Sequence, residues 1–111
     1  MTSFEFEREH YRVVYPAGTC PTFVGNGMQR DVIDLCESGL RYWAAAGESR
    51  EMGDEVDGTI RLRRGGELRV LGTVVRVVGR DVALRLLAGV PLRVVLDEQR
   101  YLRDRQRGSA R

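Results

Sequence analysis

Apolar and polar residues alternate along much of the chain, which is typical of β-strands that bury one face. Runs of this kind are YRVVYP, RDVIDL, GLRYWAAA, TIRLRR, LRVLGTVVRVV and DVALRLL. Turn-forming residues separate them, and Gly79-Arg80-Asp81 predicts a turn between the last two. The stretch TCPTFVGNGMQ predicts either a loop or a hairpin. The pattern therefore predicts about six strands without an intervening helix.

Six short antiparallel strands predict a closed or nearly closed β-barrel, because closure removes exposed strand edges. The segment PLRVVLDEQRYLRDRQR differs, since Pro91 suits a first helical turn. Apolar residues then recur at broadly helical spacing, at Leu92, Val95, Leu96 and Leu102. We therefore predict a mainly β protein with a barrel over about residues 11–88, a C-terminal α-helix over about 91–106 and a disordered tail over 107–111.

Composition limits the class of protein. The 111 residues are 42% hydrophobic, which suffices for one modest core. No apolar run approaches the length of a membrane span, and the acidic start FEFEREH differs from a signal peptide. We therefore expect a cytoplasmic protein without membrane insertion. Cys20 and Cys36 stand apart from any second cysteine pair or histidine cluster, so we expect free thiols and no zinc site.

Charge is distinctive in kind rather than in amount. The net charge is only +2, yet all 18 basic residues are arginine. Arginine pairs bidentately with phosphate or guanine and stacks on flat rings, which lysine cannot do. A GC-rich genome would produce the same bias, so composition alone does not decide between these explanations.

Two short motifs carry the chemistry. Arg8 and Arg12 occur in REHYR, ahead of the first apolar run, where such charges are usually solvated on a frayed terminus. Further along, DLCESG places Asp34, Cys36 and Gly39 in the pattern D-x-C-x-x-G at a predicted strand junction. REHYR followed by DLCESG resembles the paired signature of PilZ domains, bacterial receptors for cyclic di-GMP, whose motifs are R-x-x-x-R and [DN]-x-S-x-x-G.

The resemblance covers residues 7–105 and implies a six-stranded PilZ-type barrel preceded by a flexible leader over residues 1–12. It implies that Arg8 and Arg12 clamp phosphate and guanine from the leader, while the second motif acts from the barrel surface. The chemistry suits cyclic di-GMP, because guanine O6 and N7 accept a forked pair of hydrogen bonds from arginine. The donor edge of guanine, N1–H and N2–H, suits the carboxylate of Asp34.

Other positions carry weaker signals. Cys36 departs from the family pattern, which usually has serine there, and a thiol is a poorer hydrogen-bond partner than a hydroxyl. Gly39 indicates a positive φ, a close approach of the ligand or an ordinary turn glycine. Secondary candidates for lining the ligand are Glu7, His10, Arg30 and Arg41. Glu7 stands where many relatives carry another arginine, which favours one bound ligand per chain.

The resemblance predicts a signalling protein that binds cyclic di-GMP, needs no cofactor or metal, and relays the signal to an effector protein through a ligand-ordered leader. We do not expect an enzyme, because no nucleophile with a base and an orienting acid is recognisable. One alternative is a PilZ-like adaptor that binds only protein, although such members lack the arginine motif. Another is a small nucleic-acid-binding barrel, which the net charge of +2 and the 7% aromatic content disfavour.

Overall fold

The computed structural model describes residues 11–109, and strands dominate this part of the chain. In chain order the strands are β1 (Val13–Val14), β2 (Thr22–Gly25), β3 (Met28–Leu35), β4 (Gly39–Trp43), β5 (Glu55–Arg61), β6 (Glu67–Val78) and β7 (Asp81–Leu86). A helix, α1 (Leu92–Ser109), follows them. The predicted mainly β class with a C-terminal helix is confirmed.

Six of the strands close into an antiparallel barrel. Their hydrogen-bonded order is β3-β2-β5-β6-β7-β4, and β4 pairs in turn with β3. The extra strand β1 pairs with the end of β3, where Val13 lies opposite Leu35 and Val14 opposite Asp34. The closed six-stranded barrel is therefore confirmed, but its members differ from the six predicted runs.

The difference lies at β1 and β2. The first predicted run contributes only the short β1 outside the closed barrel, and the stretch left open as loop or hairpin contributes β2. Asn26 and Gly27 join β2 to β3 with φ values of 52° and 75°. A two-residue loop with two positive φ values matches the twist of paired strands and makes a tight hairpin. β2 has only four residues, too few for alternation to identify it.

The inward faces of the strands form one apolar core. Among its most deeply buried side chains are Phe23, Val32, Leu40, Tyr42 and Ile60. The neighbours Tyr42 and Trp43 face opposite ways, as strand alternation predicts, because Tyr42 is buried and Trp43 is 44% exposed. The predicted turn between the last two strands is present, with Gly79 at a φ of 60°.

The C-terminal helix packs on the barrel through a stripe that includes Val94, Val95 and Glu98. Glu98 is buried between two partners. Tyr15 donates its hydroxyl hydrogen to Oε1 at 2.7 Å, and Arg64 donates from Nε to Oε2 at 2.6 Å. Burial, and secondly the hydrogen bond to Glu98, raise the pKa of the Tyr15 hydroxyl. Apolar packing and these hydrogen bonds together hold the helix against the barrel.

The helix continues to Ser109 rather than ending near residue 106. Residues 107–109 are therefore helical, contrary to the predicted disordered tail, and residues 110–111 lie outside the described part. The glycine at position 108 does not end the helix, because a single glycine costs only about 1 kcal/mol relative to alanine. Within residues 11–109, no helix is long and apolar enough to span a bilayer.

Candidate functional site: a groove on the outer face of the barrel

The D-x-C-x-x-G motif lies at the hairpin between β3 and β4, the strand junction that the sequence predicts. The backbone N–H of Cys36 donates to the carbonyl of Gly39 at 2.9 Å and closes this hairpin. Beside the hairpin is a groove with a volume of about 460 Å³. Its polar or small lining residues are Arg12, Asp34, Cys36, Gly39, Arg41 and Arg76, and its apolar ones are Leu40, Val75, Ala83 and Leu84.

The groove follows a row of residues across four neighbouring strands. Asp34 of β3 lies opposite Arg41 of β4, and Arg41 lies opposite Ala83 of β7. Ala83 in turn lies opposite Arg76 of β6. Directly paired residues point to the same face of a sheet. The row therefore places Asp34 and Arg41 next to each other on the outer face of the barrel, with Arg76 on the far side of Ala83.

Two β-bulges create this row. In β3 the pairing register shifts between Val32 and Asp34. Val32 faces inward, and without the shift Asp34, two residues later, would face inward as well; with it, Asp34 lies opposite Arg41 on the outer face. In β6 the register shifts between Val74 and Arg76, so that Arg76 lies opposite Ala83. Each bulge inserts one residue and exchanges the faces of the residues that follow it. Bulges of this kind re-aim side chains, here towards the groove.

Arg12 reaches the groove from outside the closed barrel. Its Nη1 atom lies 4.0 Å from Oδ2 of Asp34, and its side chain is 44% exposed. The carbonyl oxygen of Arg12 accepts a hydrogen bond from Nε2 of Gln99 in α1 at 3.2 Å. The backbone of Arg12 is thus anchored to the helix, while its guanidinium stays at the mouth of the groove.

The carboxylate of Asp34 is buried, with only 7% of its side chain exposed. Arg41 donates from Nε to Oδ2 of Asp34 at 2.8 Å and from Nη1 to Oδ2 of Asp81 at 2.8 Å. A carboxylate has about four lone-pair sites, so the bond from Arg41 does not exhaust its accepting capacity. Arg41, a secondary candidate in the sequence, therefore lines the groove and pairs directly with the motif aspartate.

Cys36 and Gly39 form part of the groove floor. Cys36 is 7% exposed, and its Sγ atom lies 3.9 Å from Oγ of Ser38. Gly39 does not adopt a positive φ, which corrects one of the sequence-based expectations. A Cβ atom at position 39 would instead lie 3.3 Å from the carbonyl oxygen of Leu84 and 3.5 Å from Sγ of Cys36. A side chain at position 39 would therefore require the Leu84 backbone to shift by a few tenths of an ångström, so the site favours a glycine without a left-handed backbone.

Arg30 does not line this groove, contrary to the expectation. Its buried guanidinium donates to Oε1 and Oε2 of Glu48 at 3.0 and 3.1 Å. The same guanidinium lies 4.9 Å from the ring centroid of Phe23 and 5.2 Å from that of Tyr42. Burial by itself raises the pKa of the Glu48 carboxyl, but hydrogen bonds, first that from Arg30, lower it to about 2. Arg30 is a paired residue of the barrel interior.

Arg8, with the secondary candidates Glu7 and His10, lies outside the described residues, so the roles predicted for these three stay predictions. The other four residues of the two motifs, Arg12, Asp34, Cys36 and Gly39, all line the groove. Among the described residues, no group of three or more histidine, cysteine, aspartate or glutamate side chains is placed to hold a metal ion.

Arg76 is a groove residue that the sequence analysis missed. With the rest of the described chain it makes no ion pair, unlike Arg12 and Arg41. The sequence signal was a single arginine inside the apolar run VVRVV. In a chain with 18 arginines such a signal is not specific, and the bulge that aims Arg76 at the groove leaves no local pattern.

Comparisons with known proteins bear on the fold alone. No protein-family model matches the chain, and no curated protein sequence matches it. The chain is similar to the crystal structure of an uncharacterized protein from Legionella, with a TM-score of 0.60 at 11% sequence identity. The similarity covers 86% of this chain and 97% of the Legionella protein. At this sequence identity, the similarity shows a shared fold and nothing about function.

Proposed function

We propose that this protein is a cytoplasmic receptor for cyclic di-GMP of the PilZ type, and that it relays the bound state to a partner protein. One observation carries the proposal: Arg12 from the first motif and Asp34, Cys36 and Gly39 from the second line the same groove. The motifs are distant in sequence, and chance occurrence of an R-x-x-x-R pattern in an arginine-rich chain would not require them to meet.

The charges of the groove suit a ligand that is both anionic and rich in guanine. Among the described residues, the arginines that line the groove are Arg12, Arg41 and Arg76, and the one carboxylate that lines it is that of Asp34. Arginine side chains attract the two phosphodiester groups and match the O6 and N7 acceptors of guanine. The carboxylate matches the N1–H and N2–H donors, an edge that adenine does not present. A single site thus offers partners for both parts of cyclic di-GMP.

The size and exposure of the groove also support binding of a small molecule. Its volume of about 460 Å³ falls within the range of roughly 300–1,000 Å³ that is usual for ligand sites. The apolar side chains of Val75, which is 41% exposed, and of Ala83 provide surface for the flat bases. In the proposal, Arg8 adds a second guanidinium from the segment that precedes the described residues.

Calorimetric titration of the purified full chain with cyclic di-GMP tests the proposal. We expect saturable binding that persists in an excess of cyclic di-AMP, GTP or a short single-stranded RNA. Competition by cyclic di-AMP at equal concentration would contradict selectivity for guanine. Absence of binding by a folded chain would favour the protein-only adaptor, and preferential binding of the RNA would favour a nucleic-acid-binding barrel.

A further inference from the structure

Arg41 is held between two carboxylates that come from different strands. Its Nε atom donates to Asp34 in β3, and its Nη1 atom donates to Asp81 at the start of β7, each at 2.8 Å. Both acceptors are the Oδ2 atoms of their residues. The guanidinium is therefore fixed at two points, and rotation towards the open groove breaks at least one bond.

The strand register explains how Asp81 reaches Arg41. Arg41 lies opposite Ala83, and Asp81 precedes Ala83 by two residues in the same strand. Residues two apart in a strand share a face, and a long side chain can reach the diagonal neighbour across the strand pair. Asp81 thus belongs to the same outer face as Asp34, although it does not itself line the groove.

The pair between Arg41 and Asp81 is a poor device for stability alone. The Oδ1 atom of Asp81 is buried and has no hydrogen-bond partner within the described residues, while the whole side chain is 19% exposed. An incompletely satisfied carboxylate carries a desolvation cost that an ion pair does not fully offset. What the bond does provide is a fixed orientation for a guanidinium that also bonds the groove carboxylate.

We infer that Asp81 is a positioning residue that acts through Arg41 to hold the Asp34 carboxylate in place and thereby sets selectivity for guanine. The inference rests on the proposed function. With Asp81 intact, Arg41 is committed to two aspartates. Without the Asp81 carboxylate, Arg41 is free to pivot towards a phosphodiester group, which every cyclic dinucleotide carries. Binding of cyclic dinucleotides then persists, but discrimination between guanine and adenine falls.

The test compares the wild-type chain with Asp81→Asn, Arg41→Ala and the double variant. The readout is the ratio of the dissociation constants for cyclic di-AMP and cyclic di-GMP. We expect Asp81→Asn to lower this ratio by about threefold to tenfold and to have no further effect in the Arg41→Ala background. The control is Asp57→Asn, because Asp57 is an exposed aspartate outside the groove that also pairs with an arginine. Its Oδ2 atom lies 3.9 Å from Nη2 of Arg69.

A second measurement needs no ligand. Exchange of the Nε–H proton of Arg41, followed by NMR in the free protein, reports whether its guanidinium is held. Asp81→Asn should speed this exchange several-fold, whereas Asp57→Asn should not change it. An unchanged exchange rate, or an unchanged selectivity ratio in Asp81→Asn, would overturn the inference. A different outcome is faster exchange in Asp81→Asn together with no binding of cyclic di-GMP by the wild-type protein. That outcome would overturn the proposed function and the role of Asp81 in selectivity, but it would still show that Asp81 helps to hold Arg41.

Discussion

The Nη1 atom of Arg12 lies 4.0 Å from Oδ2 of Asp34, so residues from the two sequence motifs face each other at one groove. The pairing of β1 with β3 produces this approach, because Val14 lies directly opposite Asp34. The separation is at the limit of an ion pair, and 44% of the Arg12 side chain is exposed. Arg12 is therefore available to a ligand without breaking a strong internal bond.

Replacing Arg12 should weaken ligand binding without unfolding the protein. We expect Arg12→Ala to reduce the affinity for cyclic di-GMP by roughly tenfold to a hundredfold, the loss of about 1.5–3 kcal/mol expected for a charge-assisted hydrogen bond. Calorimetry measures the affinity, and the melting temperature should stay close to that of the wild type. The matched control is Arg61→Ala, which removes an exposed arginine outside the groove. Equal affinities for wild type and Arg12→Ala would remove Arg12 from the site.

Replacing Asp34 should affect both affinity and base selectivity. Asp34→Ala removes the carboxylate that we assign to the donor edge of guanine, and it leaves Arg41 with Asp81 alone. We expect cyclic di-GMP to bind at least about tenfold more weakly and cyclic di-AMP to be affected less. Titrations with both ligands give this comparison. Equal losses for the two ligands would argue against a role in recognising guanine, and a thermal melt identifies any general loss of fold.

Cys36 occupies the position at which the PilZ motif usually has serine, so its replacement by serine tests the proposed site. The thiol is buried yet lines the groove, so a hydroxyl there would add a better hydrogen-bond partner for a ligand. We expect Cys36→Ser to keep or tighten binding of cyclic di-GMP, with a gain of at most about 1.5 kcal/mol. Affinity and melting temperature are measured on the same variant. A lower melting temperature with unchanged affinity would assign Cys36 to packing alone.

Arg76 should contribute long-range attraction for an anionic ligand. It is exposed at the β6 bulge and makes no ion pair with the other described residues, so none of their carboxylates offsets its charge at short range. We expect Arg76→Gln to weaken cyclic di-GMP binding about threefold to tenfold at low salt, and less at high salt, where charges are screened. Titrations at two ionic strengths check this. Arg93→Gln, a change at an exposed arginine of α1 outside the groove lining, serves as the control.

Acid should destabilise the barrel through Glu48. Its pKa is lowered from about 4.5 to about 2 in the folded protein, so the ionised carboxylate contributes stability above about pH 4.5. That contribution, up to about 3 kcal/mol, is lost as the pH falls from about 4.5 towards 2. Urea unfolding at several pH values should give a steeper acid loss for wild type than for Glu48→Gln. Parallel profiles for the two proteins would contradict this assignment.

Local patterns in the sequence were sufficient for much of the fold. Alternation identified most of the strands, because a half-buried strand repeats every two residues. Turn residues located the hairpin at the second motif and the turn at Gly79. Alternation left the stretch that contains β2 open between a loop and a hairpin, of which the hairpin is present, and the prediction of a disordered tail was wrong for residues 107–109. These segments are too short or too polar to carry a periodic signal.

The sequence by itself determined which residue types could recognise cyclic di-GMP, and only the tertiary structure decided which of them meet. Arg30 and Asp34 lie four positions apart in one strand, so simple alternation predicts the same face for both. The bulge between Val32 and Asp34 separates them, sending Arg30 to Glu48 in the interior and Asp34 to the groove. A one-residue shift of register exchanges the two faces of a strand, and here it is set by how β3 pairs with β4, which the residue pattern of β3 alone does not specify.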